Sequence, residues 1–172
     1  VGFNGLCFQC AWNCWARRVR INNWENGVII NSSKNNTIEN VILEGKGKHF
    51  SFMAHLGSAD NLITKFTIES RFLHGLNLEY CSGNVYSVGE MKHGTFDYHR
   101  AIAHENILTD ITLHNDGVAG GADATSGPRF GARNVFWNIR VTNGRSHMVN
   151  VPQLMPYGAV VGIQGVKSYA ND

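Results

Sequence analysis

The sequence predicts an all-β protein: a right-handed parallel β-helix, a solenoid of about six to seven coils that occupies residues 1–172 as one domain. Three observations predict it. A short pattern recurs roughly every two dozen residues. It opens on Asn in all copies but one. Its apolar residues alternate with the period of a strand, not of a helix.

The copies open at Cys14, Asn36, Asn61, Asn84, Asn106 and Asn134, with spacings of 22, 25, 23, 22 and 28 residues. The first reads Cys14-Trp-Ala-Arg-Arg-Val19-Arg-Ile21, the second Asn36-Thr-Ile-Glu-Asn-Val41-Ile-Leu43, the third Asn61-Leu-Ile-Thr-Lys-Phe66-Thr-Ile68. The positions five and seven after each opening residue are apolar, and Gly89 is the one weak match. A second strand precedes most anchors: Gly27–Ile30, Phe50–Met53, Gly75–Leu78 and Arg100–Ala103. A two-strand unit of this size cannot bury its apolar face alone, so neighbouring units must stack. At about 4.8 Å per coil, each Asn falls on the Asn of the next coil and the amides can bond in a ladder. The tail Gly158–Val166 can supply a seventh coil. The stack is then roughly 30 Å long.

Nineteen Gly, nineteen Asn and three Pro suit many tight turns between short strands. A net charge of +2 with 16% charged residues gives no electrostatic footprint for a nucleic-acid partner. No run approaches the roughly 20 apolar residues that span a membrane, so no membrane partner is expected. No amphipathic helix closes either end of the stack. Open parallel edges recruit other strands, so the chain reads as a fragment, or as a solenoid covered by additional chain segments or by further copies in a homo-oligomeric trimer. It does not begin with Met, so the absence of a signal peptide says nothing about localisation. Cys7, Cys10, Cys14 and Cys81 lack the second pair a zinc site needs. Buried thiols are the favoured reading, and a disulfide stays open.

The strands before the anchors suggest a second column: Asn26, His49, His74 and His99. Asp97, Tyr98 and Arg100 flank its last member, Lys92 and His93 lie upstream, and His55 and His104 follow in the turns. The 28-residue spacing arises from a loop at 115–133, whose Asp123 and Arg129 can wall the same groove. It lacks Gly-Lys-Ser/Thr and is no phosphate-binding loop. A plain alternative is that the column only caps turns, as the Asn column does. Trp12, Trp15, Trp24 and Tyr98 could stack on sugar rings or fill the core.

Asn13-Cys14-Trp15-Ala-Arg-Arg-Val19, Ser58-Ala-Asp60-Asn61, Asp97-Tyr-His99-Arg100-Ala101 and Gly131-Ala-Arg-Asn-Val-Phe-Trp137-Asn138 resemble motifs of uncharacterised bacterial proteins in the pectate-lyase-like superfamily of right-handed parallel β-helices. The likeness spans about residues 1–145. It implies a secreted, cell-surface or periplasmic carbohydrate-active protein. Lyases, hydrolases, epimerases and phage tailspikes all use this scaffold, so the fold alone does not set the reaction. The acidic cluster of calcium-dependent lyases is absent, as is the Asp-Asp dipeptide of polygalacturonases. No cofactor is therefore expected, although calcium stays possible without a clear acidic cluster to hold it, and no histidine metal site is expected, since no carboxylate accompanies each histidine.

A groove of His, Arg, Asp and Tyr suits β-elimination from a uronate-containing polysaccharide. That reaction needs a cation on the carboxylate, a base for the C5 proton and an acid for the leaving oxygen. His99 is expected as base, Arg100 as carboxylate partner and Tyr98 or His74 as acid. Asp97 could orient a histidine, and His49, Asp97, Asp123 and Arg129 are expected to bind substrate. A glycoside hydrolase would need paired carboxylates, for which Asp97 with Glu79, Glu90 or Asp123 are the visible choices. A non-catalytic carbohydrate-binding or tailspike-like segment is the third reading.

Overall fold

The computed structural model describes residues 3–98, 101–114, 116, 131–142, 147–149 and 157–170. They form a parallel β-solenoid of about six turns, and no helix occurs among the described residues. The strands are β1 (Asn4–Gln9), β2 (Trp15–Trp24), β3 (Asn26–Asn31), β4 (Thr37–Gly47), β5 (Phe50–His55), β6 (Leu62–Ile68) and β7 (His74–Leu78). They continue as β8 (Val85–Met91), β9 (Phe96–Tyr98), β10 (Ile107–Leu113), β11 (Val135–Val141), β12 (His147–Val149), β13 (Ala159–Val161) and β14 (Ser168–Ala170). Alternate strands build two long sheets, β1-β3-β5-β7-β9 and β13-β11-β10-β8-β6-β4-β2, and β12 pairs with β14.

The anchor column is an amide ladder. Asn36 Nδ2 donates to Asn61 Oδ1 at 2.9 Å, Asn61 to Asn84 at 2.9 Å, Asn84 to Asn106 at 3.1 Å and Asn106 to Asn134 at 3.2 Å. The backbone N–H of each anchor from Cys14 to Asn106 donates to the same oxygen of the next coil. All five Asn are buried, and a buried amide is stable only when its donors and acceptors are partnered. Cys14 can start the column because the bond to Asn36 Oδ1 uses its backbone N–H and not its side chain.

Two columns of left-handed backbone shape the coil. The residue before each anchor has positive φ: Asn13 56°, Asn35 57°, Asp60 56°, Gly83 66°, Glu105 58° and Arg133 59°. The fourth residue after it does too: Arg18 56°, Asn40 56°, Lys65 54°, Val88 51°, Asp110 54° and Asn138 50°. The first column turns the chain into the ladder. The second bends each long strand mid-way, so that positions two, five and seven after the anchor all face inward. Ile38, Ile63, Tyr86, Leu108 and Phe136 stack at position two, and Leu43, Ile68, Met91, Leu113 and Val141 at position seven. The tail joins the stack as expected. Val135 pairs with Ala159, and Gly162 takes the bend with φ 68°.

Gly89 departs from the pattern for a packing reason. A Cβ there would lie 2.1 Å from the ring of Phe66, one coil away. The large Phe66 thus occupies the volume that a larger residue at 89 would need.

The register of the five-stranded sheet corrects the second column. Val28 pairs with Phe52, and Phe50 pairs with His74. His49 therefore stands one residue out of line with His74, and Asn26 lies opposite Phe50, whose N–H it accepts at 3.4 Å. The apolar pairs decide this. Val28 and Ile30 stack on Phe52 and Ala54, then on Leu76 and Leu78, then on Phe96 and Tyr98. A slip of one residue would turn every one of them outward. For the same reason the fifth strand is Phe96–Tyr98 and not Arg100–Ala103.

The cysteine expectation holds for Cys81 alone. It is buried, and burial pushes its thiol up to about 12. Cys7, Cys10 and Cys14 are exposed, and all four thiols are free. Trp24 fills the core, whereas Trp12 and Trp15 are exposed.

Candidate functional site

The side chains of the five-stranded sheet alternate. Phe96 and Tyr98 point into the core, which places Asp97 between them on the outer face. Asn77, between Leu76 and Leu78, lies beside it by register. Asp97 is 1% exposed despite facing away from the core. Its Oδ2 accepts from Asn77 Nδ2 at 3.0 Å and lies 3.0 Å from His74 Nδ1. A buried carboxylate requires such partners.

His74 heads its strand, one strand spacing along the axis from Phe50. Its ring stacks on Phe50 at 4.8 Å between centroids and 22° between planes. His49 meets it edge-on at 4.9 Å. The His74 side chain is 24% exposed. An ionised Asp97 can only accept, so Nδ1 carries a proton and Nε2 is the nitrogen left to take up or release one. Packing against Phe50 and the bond to Asp97 together fix the ring's plane and tautomer. This geometry suits proton transfer by a positioned imidazole.

Ile29, Phe50 and Met53 form a second apolar cluster on this outer face, separate from the core. His55 lies on the same face beside Asn31. Burial lowers its pKa below the usual histidine value, against the opposing pull of the Glu79 carboxylate.

The expected site residues divide accordingly. The structure brings His49, His74 and Asp97 together. It turns Tyr98 inward, where its ring packs 5.9 Å from that of Phe136 in the core. Tyr98 is therefore removed as an acid facing substrate: strand alternation cannot present both it and Asp97 on one face. His99, Arg100, Asp123 and Arg129 lie outside the described residues. Glu90 is on the outer face of the other sheet, paired in register with Thr67 and Thr112. Asn77 went unanticipated, although an Asn between two inward Leu in a strand already points outward with nothing apolar to do.

A second histidine–carboxylate pair forms near the coil corner before β9. Asp116 Oδ2 lies 2.9 Å from His93 Nδ1 and 3.1 Å from the Arg71 guanidinium, and Oδ1 accepts the Gly94 N–H at 2.8 Å. Partial burial alone would raise the Asp116 pKa. The bonds from His93 and Gly94 and the charges of His93 and Arg71 outweigh it and hold the carboxyl below its ordinary value. These bonds tie Asp116 to two preceding coils. Among the described residues, no group of three His, Cys, Asp or Glu side chains is arranged to hold a metal ion. No family model, no curated protein and no solved structure matches the chain.

Proposed function

We propose that this solenoid is a carbohydrate-active protein that cleaves a uronate-containing polysaccharide by β-elimination on the outer face of its five-stranded sheet. One observation carries the reading. Asp97 is buried on a face that contributes nothing to the main core, and its carboxylate is committed to holding His74. A carboxylate so placed fixes the orientation of the imidazole and leaves Nε2 facing outward to exchange a proton, which is what a general acid–base histidine needs.

In this reading His99 removes the C5 proton and the C4–O bond breaks as the C4–C5 double bond forms. His74, protonated on Nε2, delivers its proton to the leaving oxygen. Arg100 pairs with the uronate carboxylate, His49 borders the sugar, and Asp123 and Arg129 wall the groove. No cofactor is required. A polymeric substrate places the protein outside the cell or in the periplasm.

A hydrolase is less well supported. It needs two carboxylates facing one bond, but Asp97 is engaged by His74 and Asn77, and Glu90 belongs to the other sheet.

The test is incubation with alginate, pectate and glycosaminoglycans, followed by the absorbance of the unsaturated uronate. We expect product from at least one, with His74→Ala and Asp97→Asn each lowering kcat by about 10²–10⁴-fold. No unsaturated product from any polyuronide would sink the lyase reading. Reducing sugar without that absorbance would indicate hydrolysis. Binding without turnover would indicate a tailspike-like or carbohydrate-binding role.

A further inference from the structure

The opposite edge of the same sheet, where the coil turns toward the ladder, holds a second feature. Four residues before the anchor, five successive coils have left-handed backbone: Cys10 φ 51°, Ser32 φ 45°, Gly57 φ 77°, Tyr80 φ 45° and Ile102 φ 43°. The fold imposes this conformation, and Gly or Asn meets it at least cost. Gly57 does so. Tyr80 and the β-branched Ile102 do not, and bulky residues are rare there. Nor do they serve the core: Tyr80 is 60% exposed, Ile102 49%, and Leu56 beside Gly57 53%.

Tyr80 and Ile102 border a cavity of about 520 Å³, lined also by Gly57, Ala101, Ser82 and His104. Its floor is apolar, with Cys81 beneath. A Cβ at Gly57 would meet nothing within 4 Å, so the space above that glycine is open. One exposed aromatic face, an aliphatic wall, a hydroxyl from Ser82 and an imidazole from His104 make a hollow with one apolar side and a few polar groups. That is the usual make-up of a small-ligand site.

We infer that this corner binds a pyranose ring of a glycan, stacked on Tyr80, with Ser82 and His104 bonding ring hydroxyls. A pyranose presents a face of C–H groups and a rim of hydroxyls. It therefore matches this lining better than a wholly apolar ligand does. Counting from His74 to Tyr80 at the strand rise puts the corner roughly 20 Å from the imidazole. An oligosaccharide several residues long could touch both, yet this site does not depend on the chemistry at His74.

The experiment is isothermal titration of the intact chain with cellohexaose, maltohexaose and hexagalacturonate, beside Tyr80→Asn and Tyr80→Ala. We expect one of the three to bind the parent, and both variants to bind it about tenfold more weakly. Asn tolerates the left-handed backbone, so Tyr80→Asn should also raise the melting temperature, by about 2 °C. Loss of binding with gained stability is the signature of a ligand-dedicated residue, which a merely structural tyrosine would not show. Parent protein that binds none of the three overturns the inference. So does a Tyr80→Asn variant that binds unchanged, or one that loses stability along with binding. A His74→Ala protein that keeps the binding separates this site from the proposed reaction.

Discussion

Replacing Asn84, in the middle of the ladder, by Ala should cost about 2–4 kcal/mol, and the bonds show where that figure comes from. Asn84 Oδ1 accepts both the backbone N–H and the Nδ2 of Asn61, and its Nδ2 donates to Ser58 O, Ser82 O and Asn106 Oδ1. Most of these atoms keep another partner. Ser58 O still accepts from Ser82 N, Ser82 O from Asp60 N, Asn106 Oδ1 from the backbone of residue 84, and Asn61 Nδ2 still reaches Ser33 O. The Asn61 N–H is different. It is buried and is left with no acceptor, a loss worth about 1–3 kcal/mol. The weakened remainder and the small void add about 1 kcal/mol. Cys14→Ala, at the exposed start of the column, should stay within about 0.5 kcal/mol. Asn84→Asp sharpens the test. The acceptor side is preserved, but a carboxylate then faces three oxygens in a buried site, so its folded-state pKa is raised. Such a group binds its proton more tightly when folded, so the variant should be weakest at neutral pH and recover as the pH falls. Urea titration by far-UV circular dichroism reads all three. If Asn84→Ala costs no more than Cys14→Ala, or Asn84→Asp shows no recovery in acid, the ladder is not what holds the coils in register.

Two further outcomes follow from packing and titration. Gly89→Val should destabilise by about 1–3 kcal/mol, because its side chain enters the space of the Phe66 ring. Phe66→Val added to it should restore stability beyond the sum of the two single changes, as a double-mutant cycle in urea would read; additive losses would refute the complementarity. His55 has a folded-state pKa below its unfolded value of 6.5, with burial the main cause. Its contribution is therefore fully present above about pH 6.5 and is lost as the pH falls from there toward the lower folded-state value. His55→Gln should flatten the melting temperature across that interval, and an unchanged slope would show that another group is responsible.

Much of the fold is legible because stacking repeats a single constraint in every coil. An amide that must bond its own image one coil away leaves an Asn at a fixed place, and inward positions five and seven leave apolar residues. The mid-strand bend is not legible. Arg18, Asn40, Lys65, Val88, Asp110 and Asn138 share a backbone angle but no chemistry, since an exposed bend tolerates many side chains. The histidine column misaligns because the register is set by the buried apolar pairs Phe52/Ala54 and Leu76/Leu78 and not by the histidines. Of the candidate site, the partnership of Asp97 with a histidine is readable. The choice of His74 is not, because it joins residues of two coils whose offset depends on that register. The inward place of Tyr98 is legible in Phe-Asp-Tyr alone, because strand alternation puts it on the same face as Phe96.

The ladder also bears on how the chain reaches this state. Every amide bond in it joins residues 22 to 28 apart, so no coil can form on local contacts. Each must close a loop of that length before any bond rewards it. The first pair of coils is thus the slow step. Once it exists, its free edge is a template on which the next coil lays down strand by strand. Synthesis delivers coils in the order in which they stack, so growth can keep pace with emergence. A pause would leave that templating edge open to a strand from another chain.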